Sequence, residues 1–279
     1  MKRTICAVLL AAISAMMTTP CAADAAQGLR VVFYDVGKAD AALITAPDGT
    51  NILIDAGTNK AGKQLAARFE EEGIDRIALM LITHFDKDHV GGADKLLEEF
   101  DVGTVIMPTY DKESKQHTQF EEALAATEGV EEIRMGRAET RVFDLEPGVT
   151  FTVTSAHEAG YGADEENDFS LAVRLTYGGT RFFFTGDAEN ARQRELLAEG
   201  DVACDVLKVP YHGRLEASSQ DFLAACAPEI AFICDSDEEP ANAMVIAMLE
   251  NAGAKVYCAK DGGLRVTSDG KTVTAEKMN

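Results

Sequence analysis

Apolar residues in this chain come in short runs separated by turns, and their spacing alternates between two periods. Leu29 to Tyr34, Ala41 to Thr45 and Asn51 to Asp55 read as strands, the last two joined as a hairpin through Pro47-Asp48-Gly49. Ala61 to Glu72 switches to helical spacing, with Leu65, Ala66 and Phe69 on one face and Gly73 as the stop. Ile77 to Ile82 is an unbroken apolar run, too short for an ordinary helix and long enough for a buried strand. A helix over Ala93–Phe100, a strand over Thr104–Met107 and a helix over Phe120–Ala126 follow. Between the last two, Tyr110–Thr118 is polar and reads as an irregular rim.

The second half continues the alternation. Strands are predicted over Val130–Met135, Arg141–Leu145 and Val149–Ser155, then an acidic loop over Ala156–Asp168. Phe169–Tyr177 and Thr180–Thr185 alternate strongly around Gly178-Gly179 and form a second hairpin. Helices over Glu189–Ala198, Gln220–Cys226 and Ala241–Asn251 then interleave with strands over Asp205–Val209, Glu229–Asp235 and Lys255–Cys258. Leu264–Thr267 and Thr272–Ala275 close the chain as a hairpin around Asp269-Gly270. There is no internal repeat and no linker-like stretch, so residues 27–279 read as one α/β domain: a two-sheet sandwich with helices outside.

The first 26 residues break the pattern. Met1-Lys2-Arg3 precedes an apolar run from Ile5 to Met17, with small residues at Cys21-Ala22-Ala23 and Ala25-Ala26. That is the layout of a secretory signal peptide, and the run is shorter than the ~20 residues of a membrane span. Export to the cell envelope or beyond is therefore the expected localisation, with an uncleaved anchor as the alternative. The formal charge of −21 over 279 residues, from 26 basic and 47 acidic groups, argues against stable grip on a nucleic-acid duplex. Outside the leader, Cys204, Cys226, Cys234 and Cys258 form no CxxC pair, which leaves a zinc ribbon or redox motif unsupported. If a disulfide forms, Cys234 with Cys258 is the expected pair.

Candidate chemistry gathers directly behind the buried run Ile77–Ile82. Thr83-His84-Phe85-Asp86-Lys87-Asp88-His89-Val90-Gly91-Gly92 places His84, Asp86, Asp88 and His89 in a loop leaving a strand end, where α/β sheets keep their sites. Alternate residues of an extended segment face one way, so His84, Asp86 and Asp88 can converge, and a turn can bring His89 beside Asp88. Imidazole with carboxylate suits a borderline divalent ion, Zn²⁺ or Mn²⁺. Asp55, Asp187 and His212 also sit at strand ends next to a small residue; each alone reads as a turn residue, and only the loop draws them in as ligands. His117 in the polar rim reads as solvent-exposed, and His157 as a weaker candidate facing the site.

These motifs resemble those of the metallo-β-lactamase superfamily, and within it the extracellular hydrolase domain of ComEC-type competence proteins. Asp35-Val-Gly-Lys-Ala-Asp40-Ala is similar to that family's Asp-Val-Gly-Gln-Gly-Asp-Ala opening, and Ile54-Asp55-Ala-Gly to its second signature. Thr83 to Gly92 resembles its H-x-D-x-D-H-x-G-G loop, with Asp86 where most members carry a second His. Asn167-Asp168-Phe169-Ser170, Thr185-Gly186-Asp187 and Lys208-Val-Pro-Tyr-His212-Gly resemble three later segments. The resemblance covers nearly all of the chain after the leader.

It implies a four-layer αβ/βα sandwich of two mixed sheets with outer helices, and two divalent metal ions, Zn or Mn. His84 and Asp86 would hold one, Asp88, His89 and His212 the other, and Asp187 would bridge. Catalytic roles would fall on Asp88, Asp187 and His212. Asp35, Asp40 and Asp55 would brace the ligand loop, while Asn167, Ser170 and Lys208 would stand near metal or substrate. Departures are Lys38-Ala39 for Gln-Gly, Tyr211 for the first His of His-His-Gly, Arg214 for its usual Ser, and Asp235–Pro240 for an Asn- and His-containing loop.

Three oxygen-bearing ligands against three imidazoles make a harder site than a His-dominated one, favouring Mn²⁺ and phosphodiester chemistry over lactam chemistry. The expected activity is that of an exported dinuclear-metal hydrolase acting on single-stranded nucleic acid or nucleotide fragments through a metal-bridging hydroxide. A hydrolase of small lactones, esters or thioesters, and a degenerate metal-binding interaction domain, are the alternatives.

Overall fold

A computed structural model describes residues 28–145, 148–158, 161 and 166–278. The leader, with Cys6 and Cys21, lies outside the described residues. The first half runs β1 (Leu29–Phe33), β2 (Ala42–Thr45), β3 (Asn51–Ile54), α1 (Asn59–Glu71), β4 (Arg76–Leu81), α2 (Ala93–Glu99), β5 (Asp101–Pro108), α3 (Lys115–Ala126) and β6 (Glu131–Met135). The second runs β7 (Thr140–Leu145), β8 (Val149–Thr154), β9 (Ala172–Tyr177), β10 (Thr180–Phe184), α4 (Asn190–Glu199), β11 (Val206–Lys208) and α5 (Ser219–Cys226). It continues through β12 (Ile230–Ile233), α6 (Ala243–Asn251), β13 (Lys255–Cys258), β14 (Leu264–Ser268) and β15 (Val273–Lys277).

Two mixed sheets result, of eight and seven strands, in the orders β15-β14-β1-β2-β3-β4-β5-β6 and β13-β12-β11-β10-β9-β8-β7. In each, one half is antiparallel hairpins and the other is parallel: β3 to β6, and β10 to β13. The parallel strands need helical crossovers, which supply the outer layers. Their inner faces meet in one core, where Phe33 stacks on Phe232 at 4.8 Å and touches Phe184 at 5.8 Å. The outer face of the larger sheet packs under α1, α2 and α3, and that of the smaller under α4, α5 and α6. The order is therefore αβ/βα.

β4 explains why Ile77–Ile82 lacks alternation. Leu79 and Leu81 enter the core between the sheets, while Ile77, Met80 and Ile82 are buried on the other face, Met80 and Ile82 under the helices. A strand covered on both sides selects apolar residues at every position. The parallel strands β3, β4, β10, β11 and β12 all end at one edge, and the loops leaving them carry the candidate residues.

Two expectations are corrected. The polar rim is shorter than the sequence suggested, because α3 begins at Lys115 with Ser114 as its N-cap, its Oγ accepting from the His117 amide at 3.2 Å. That early start turns His117 inward rather than to solvent: its ring stacks on Phe85 at 4.1 Å, and its Nδ1 donates to the Lys112 carbonyl at 2.9 Å. Cys234 and Cys258 do not pair, and all four cysteines among the described residues are free and buried. Cys258 lies opposite Ile233 in the β12–β13 register, so Cys234, one residue on, points to the other face. Cys234 accordingly lies in the core between the sheets and Cys258 in the layer under α4 to α6.

Candidate metal centre

The loop after β4 is held from below by Asp55, at the end of β3. Its Oδ1 accepts the Thr83 amide and its Oδ2 the Thr83 hydroxyl, both at 2.8 Å, and Oδ2 also takes His89 Nδ1 at 2.8 Å. Asp55 reaches this position with φ at 57°, a left-handed backbone that is uncommon outside glycine. Gly92 seals the other side of the loop: its N–H donates to the Gly57 carbonyl at 3.1 Å, and its Cα faces Gly62 of α1 so closely that a methyl would clash.

The turn after β11 presents His212. Tyr211, His212 and Gly213 all have positive φ, at 49°, 50° and 70°. Strain of this kind persists only where surrounding contacts over-determine it, and it concentrates at functional sites. Here it brings His212 Nε2 to 2.8 Å from Asp187 Oδ2 and 3.4 Å from Asp88 Oδ2, while Nδ1 donates to the Cys234 carbonyl at 2.8 Å. His89 Nε2 reaches the same Asp187 oxygen at 3.3 Å. His84 packs against His89 with ring centres 4.0 Å apart, its Nδ1 near Thr83 Oγ1 at 3.1 Å and Ser170 Oγ at 3.4 Å.

One pattern runs through all three histidines. Each Nδ1 is engaged by the protein, while each Nε2 is buried without a hydrogen-bonded partner. With each Nδ1 tied down, and the Nε2 atoms of His89 and His212 facing carboxylate oxygens, these imidazoles form a donor set that fits a divalent cation. His84, Asp88, His89, Asp187 and His212 thus lie together at the sheet edge, 8% exposed or less.

Other predicted residues stand elsewhere. Asp86 turns outward into an ion pair with Lys112. Asp40 groups with His89, Asp187 and His212 within 4.8 Å. It faces the Nδ1 edges of those rings at 3.8 Å and 3.7 Å, where Asp55 and Cys234 already engage them, and its Oδ2 pairs with buried Lys208. A bracing role fits it better than ligation. Ser170 Oγ accepts the Asp187 amide at 3.1 Å. Asn167 donates to Glu189 at 2.7 Å, and exposed Asp35 only closes a turn onto the Gly37 amide at 3.2 Å. His157 pairs with Glu199 at 3.1 Å, away from the cluster.

Electrostatics decide the protonation of the metal-free cluster. Burial disfavours charge on His89, yet Asp187, Asp40 and Asp55 raise its pKa well above the usual value. Burial likewise opposes charge on His212, and Asp187 and Asp88 raise it. His84 goes the other way: burial, with His89 beside it, lowers it to about 4. Asp187 and Asp88 are held well below the carboxylate range despite burial, Asp187 by His212, His89 and Lys208, Asp88 by His212, His89 and Lys38.

Three residues were missed by sequence reasoning. Lys112 bridges Asp86 and Glu166. Lys38 holds Asp88 Oδ2 at 2.9 Å. Arg192, with no exposed surface, donates to the carbonyls of Ser170 at 3.3 Å and Thr154 at 3.1 Å and pairs with Glu195 and Glu199 at 3.0 Å. Only a charge on the apolar stripe of α4 hinted at Arg192.

Residues 34–234 match the family model described as the Metallo-beta-lactamase superfamily, from the end of β1 to Cys234 beside His212. The chain belongs to that superfamily. Within it, the chain is similar to ComE operon protein 3 of Bacillus subtilis (strain 168), 27% identical over 222 residues, 73% of this chain and 28% of that protein. It is also similar to Recombination protein 2 of Haemophilus influenzae, 28% identical over 211 residues, 74% of this chain and 24% of that protein. The chain thus spans about a quarter of the length of these relatives. Among solved structures, Tm1679, a metal-dependent hydrolase of the beta-lactamase superfamily, aligns with a TM-score of 0.51 at 14% identity, over 82% of this chain and 95% of that one. CmlA, a diiron beta-hydroxylase from Streptomyces venezuelae, aligns at 0.54 and 14% identity, over 89% and 54%. Those structural likenesses establish the fold. No helix among the described residues is long and apolar enough to cross a membrane.

Proposed function

We propose that this chain is an exported, divalent-metal-dependent phosphodiesterase acting on single-stranded DNA or nucleotide fragments. The observation that carries the metal requirement is the set of three buried Nε2 atoms without a hydrogen-bonded partner, on His84, His89 and His212, with those of His89 and His212 within 3.4 Å of Asp187 or Asp88 oxygens. His89, His212, Asp88 and Asp187 would hold one ion. His84 and Asp187 would hold a second, with Asp86 joining if its pair with Lys112 opens. When bound, such ions supply Lewis acidity, both to a water and to the attacked phosphorus centre.

The chain's own residues set the stage for that chemistry. Asp55 and the Cys234 carbonyl orient His89 and His212 so that Nε2 faces inward. Lys208, 4% exposed, pairs with Asp40 and lies 3.4 Å from Asp187, where its charge helps keep the buried Asp187 carboxylate ionised. A cleft of about 730 Å³ opens at the mouth, lined among others by Lys38, Asp86, Asp88, Lys112, Glu238 and Glu239. The lysines favour an anionic substrate, and the name of one relative, Recombination protein 2, agrees with a nucleic-acid substrate. Export is supported by the charged and apolar pattern of residues 1–26.

The test is hydrolysis of single-stranded DNA, with a panel of esters and lactones in parallel, by the purified protein supplied with Mn²⁺ or Zn²⁺. Asp187→Asn and His84→Ala should each lower phosphodiester turnover at least a hundredfold. No phosphodiester turnover with any divalent ion, or equal rates in wild type and both variants, rules the proposal out. Turnover of esters alone selects the small-molecule hydrolase instead.

A further inference from the structure

Lys38 and Lys112 each occupy a carboxylate oxygen of the ligand loop. Lys38 Nζ lies 2.9 Å from Asp88 Oδ2, the same oxygen that His212 Nε2 approaches to 3.4 Å. Lys112 Nζ holds Asp86 Oδ1 and, on its other side, Glu166 Oε2. Their side chains are 19% and 18% exposed, and both line the open cleft at the mouth of the centre. Lys208 is different in kind: it is buried, clamped by Asp40 and by the Gly186 carbonyl at 2.9 Å, and does not reach that cleft.

A dication and an ammonium repel strongly when they share one carboxylate oxygen. Lysine carries its charge on a flexible four-carbon stem, so it can yield the oxygen without any change in the backbone. The same cleft is also lined by Glu238 and Glu239, of which, among the described residues, Glu239 alone has a cationic partner, Arg214 at 3.2 Å. While Lys38 and Lys112 face inward onto Asp88 and Asp86, exposed Lys87 is the remaining lysine of the cleft lining, against the two glutamates.

We propose that divalent metal displaces Lys38 and Lys112 from Asp88 and Asp86, and that the freed ammoniums grip the non-bridging oxygens of a phosphodiester in the cleft. Metal loading then becomes a precondition for substrate capture, and the two lysines set the preference for anionic over neutral substrates. This rests on the metal-centre reading above. The two lysines are also competitors of the metal, so removing either acts on the two ligands in opposite directions.

The experiment uses the full chain with Mn²⁺ and a fluorescent phosphorothioate oligothymidylate that resists hydrolysis. A methylphosphonate oligothymidylate serves as the uncharged control. Lys38→Met and Lys112→Met should each weaken phosphorothioate binding by the Mn²⁺-loaded protein about tenfold, the value of one lost charge-assisted contact. Methylphosphonate binding should not change. Mn²⁺ affinity, measured without oligonucleotide, should rise severalfold in both variants, which a merely structural lesion would not produce. Lys38→Arg and Lys112→Arg should retain phosphorothioate binding. Wild-type protein that binds no Mn²⁺ overturns the metal centre and this inference with it. Mn²⁺-loaded wild type and Met variants that bind the phosphorothioate equally, or Met variants with weakened Mn²⁺ binding, overturn the inference alone.

Discussion

Asp55 and His89 meet at 2.8 Å, carboxylate Oδ2 to ring Nδ1, with neither residue exposed to solvent. The contact fixes which ring nitrogen faces the centre, and through Thr83 it ties the loop after β4 to the end of β3. Partners of this kind raise the basicity of a ligand and hold its orientation.

Asp55→Asn isolates that role. Asparagine tolerates the left-handed backbone at this position, so the change removes charge without adding much strain. Its amide group, however, must turn donors toward Thr83 or His89, which already donate. Mn²⁺ affinity should fall about 10- to 100-fold, and the metal-free chain should lose about 2–4 kcal/mol. Metal-competition titration and urea unfolding measure the two; an affinity within twofold of wild type would show that Asp55 does not orient the ligand.

Metal binding should release protons at neutral pH. Asp187 and its neighbours raise His89 well above its usual pKa and raise His212 as well, so both rings hold a proton more tightly than a free imidazole, whereas a ligand imidazole must be neutral. Asp88 and Asp187 are already ionised and contribute none. Calorimetric Mn²⁺ titrations in buffers of different ionisation heat should show net proton release, with His89 as its main source. The same shifts set metal-free stability. The contribution of His89 and His212 is fully present below their unfolded pKa of about 6.5 and fades as pH rises through their higher folded values. His84 acts with the opposite sign: its contribution is present above about 6.5 and is lost as pH falls through its folded value of about 4. Chelator-treated protein should therefore lose thermal stability in both directions, and proton uptake on metal binding would contradict the assignment.

Gly92→Ala tests how the fold holds the loop. A Cβ there would stand 2.3 Å from the Ala56 carbonyl oxygen and 2.6 Å from Gly62 Cα, both backbone atoms with no freedom to step aside. α1 and the start of α2 would have to separate, drawing His89 away from Asp55. Destabilisation of about 1–3 kcal/mol or more is expected, with weakened Mn²⁺ binding. Gly129→Ala, at a glycine with nothing within 4 Å of the added methyl, should leave metal binding unchanged.

How much of this was legible in the sequence depended on distance along the chain. Ile77–Ile82 announced a doubly covered strand, and His84, Asp88 and His89 followed it within one loop, so a local pattern was enough. Asp187 and His212 needed the resemblance, because a strand-end acid or histidine is by itself an ordinary turn residue. Lys112 was invisible: its partners Asp86 and Glu166 lie 26 and 54 positions away, and a lysine in a polar stretch reads as solvated. The same limit applies to the closing hairpin, whose first strand pairs with β1 from the far end of the chain. His117 was misread because Ser114, the cap that starts its helix, sits among polar residues that mask the helical period.

Arg192 is a fully buried charge on α4, and its substitution makes the sharpest stability test. Its guanidinium is sealed between β8, α4 and the Phe169–Ser170 turn, where it donates to the Thr154 and Ser170 carbonyls and neutralises Glu195 and Glu199. Arg192→Met keeps the apolar stem but leaves two carbonyls short of a donor and two half-buried glutamates without their shared cation. Breaking a buried network of this kind costs about 3–5 kcal/mol. The effect should also travel to the centre, because Ser170 Oγ accepts the Asp187 amide and lies 3.4 Å from His84 Nδ1. Arg192→Met is therefore expected to lower both the urea midpoint and Mn²⁺ affinity. Arg192→Lys, which restores charge but not the planar fork, should recover only part of each. If Arg192→Met unfolds at the wild-type urea concentration, the polar network around Arg192 contributes nothing to the fold.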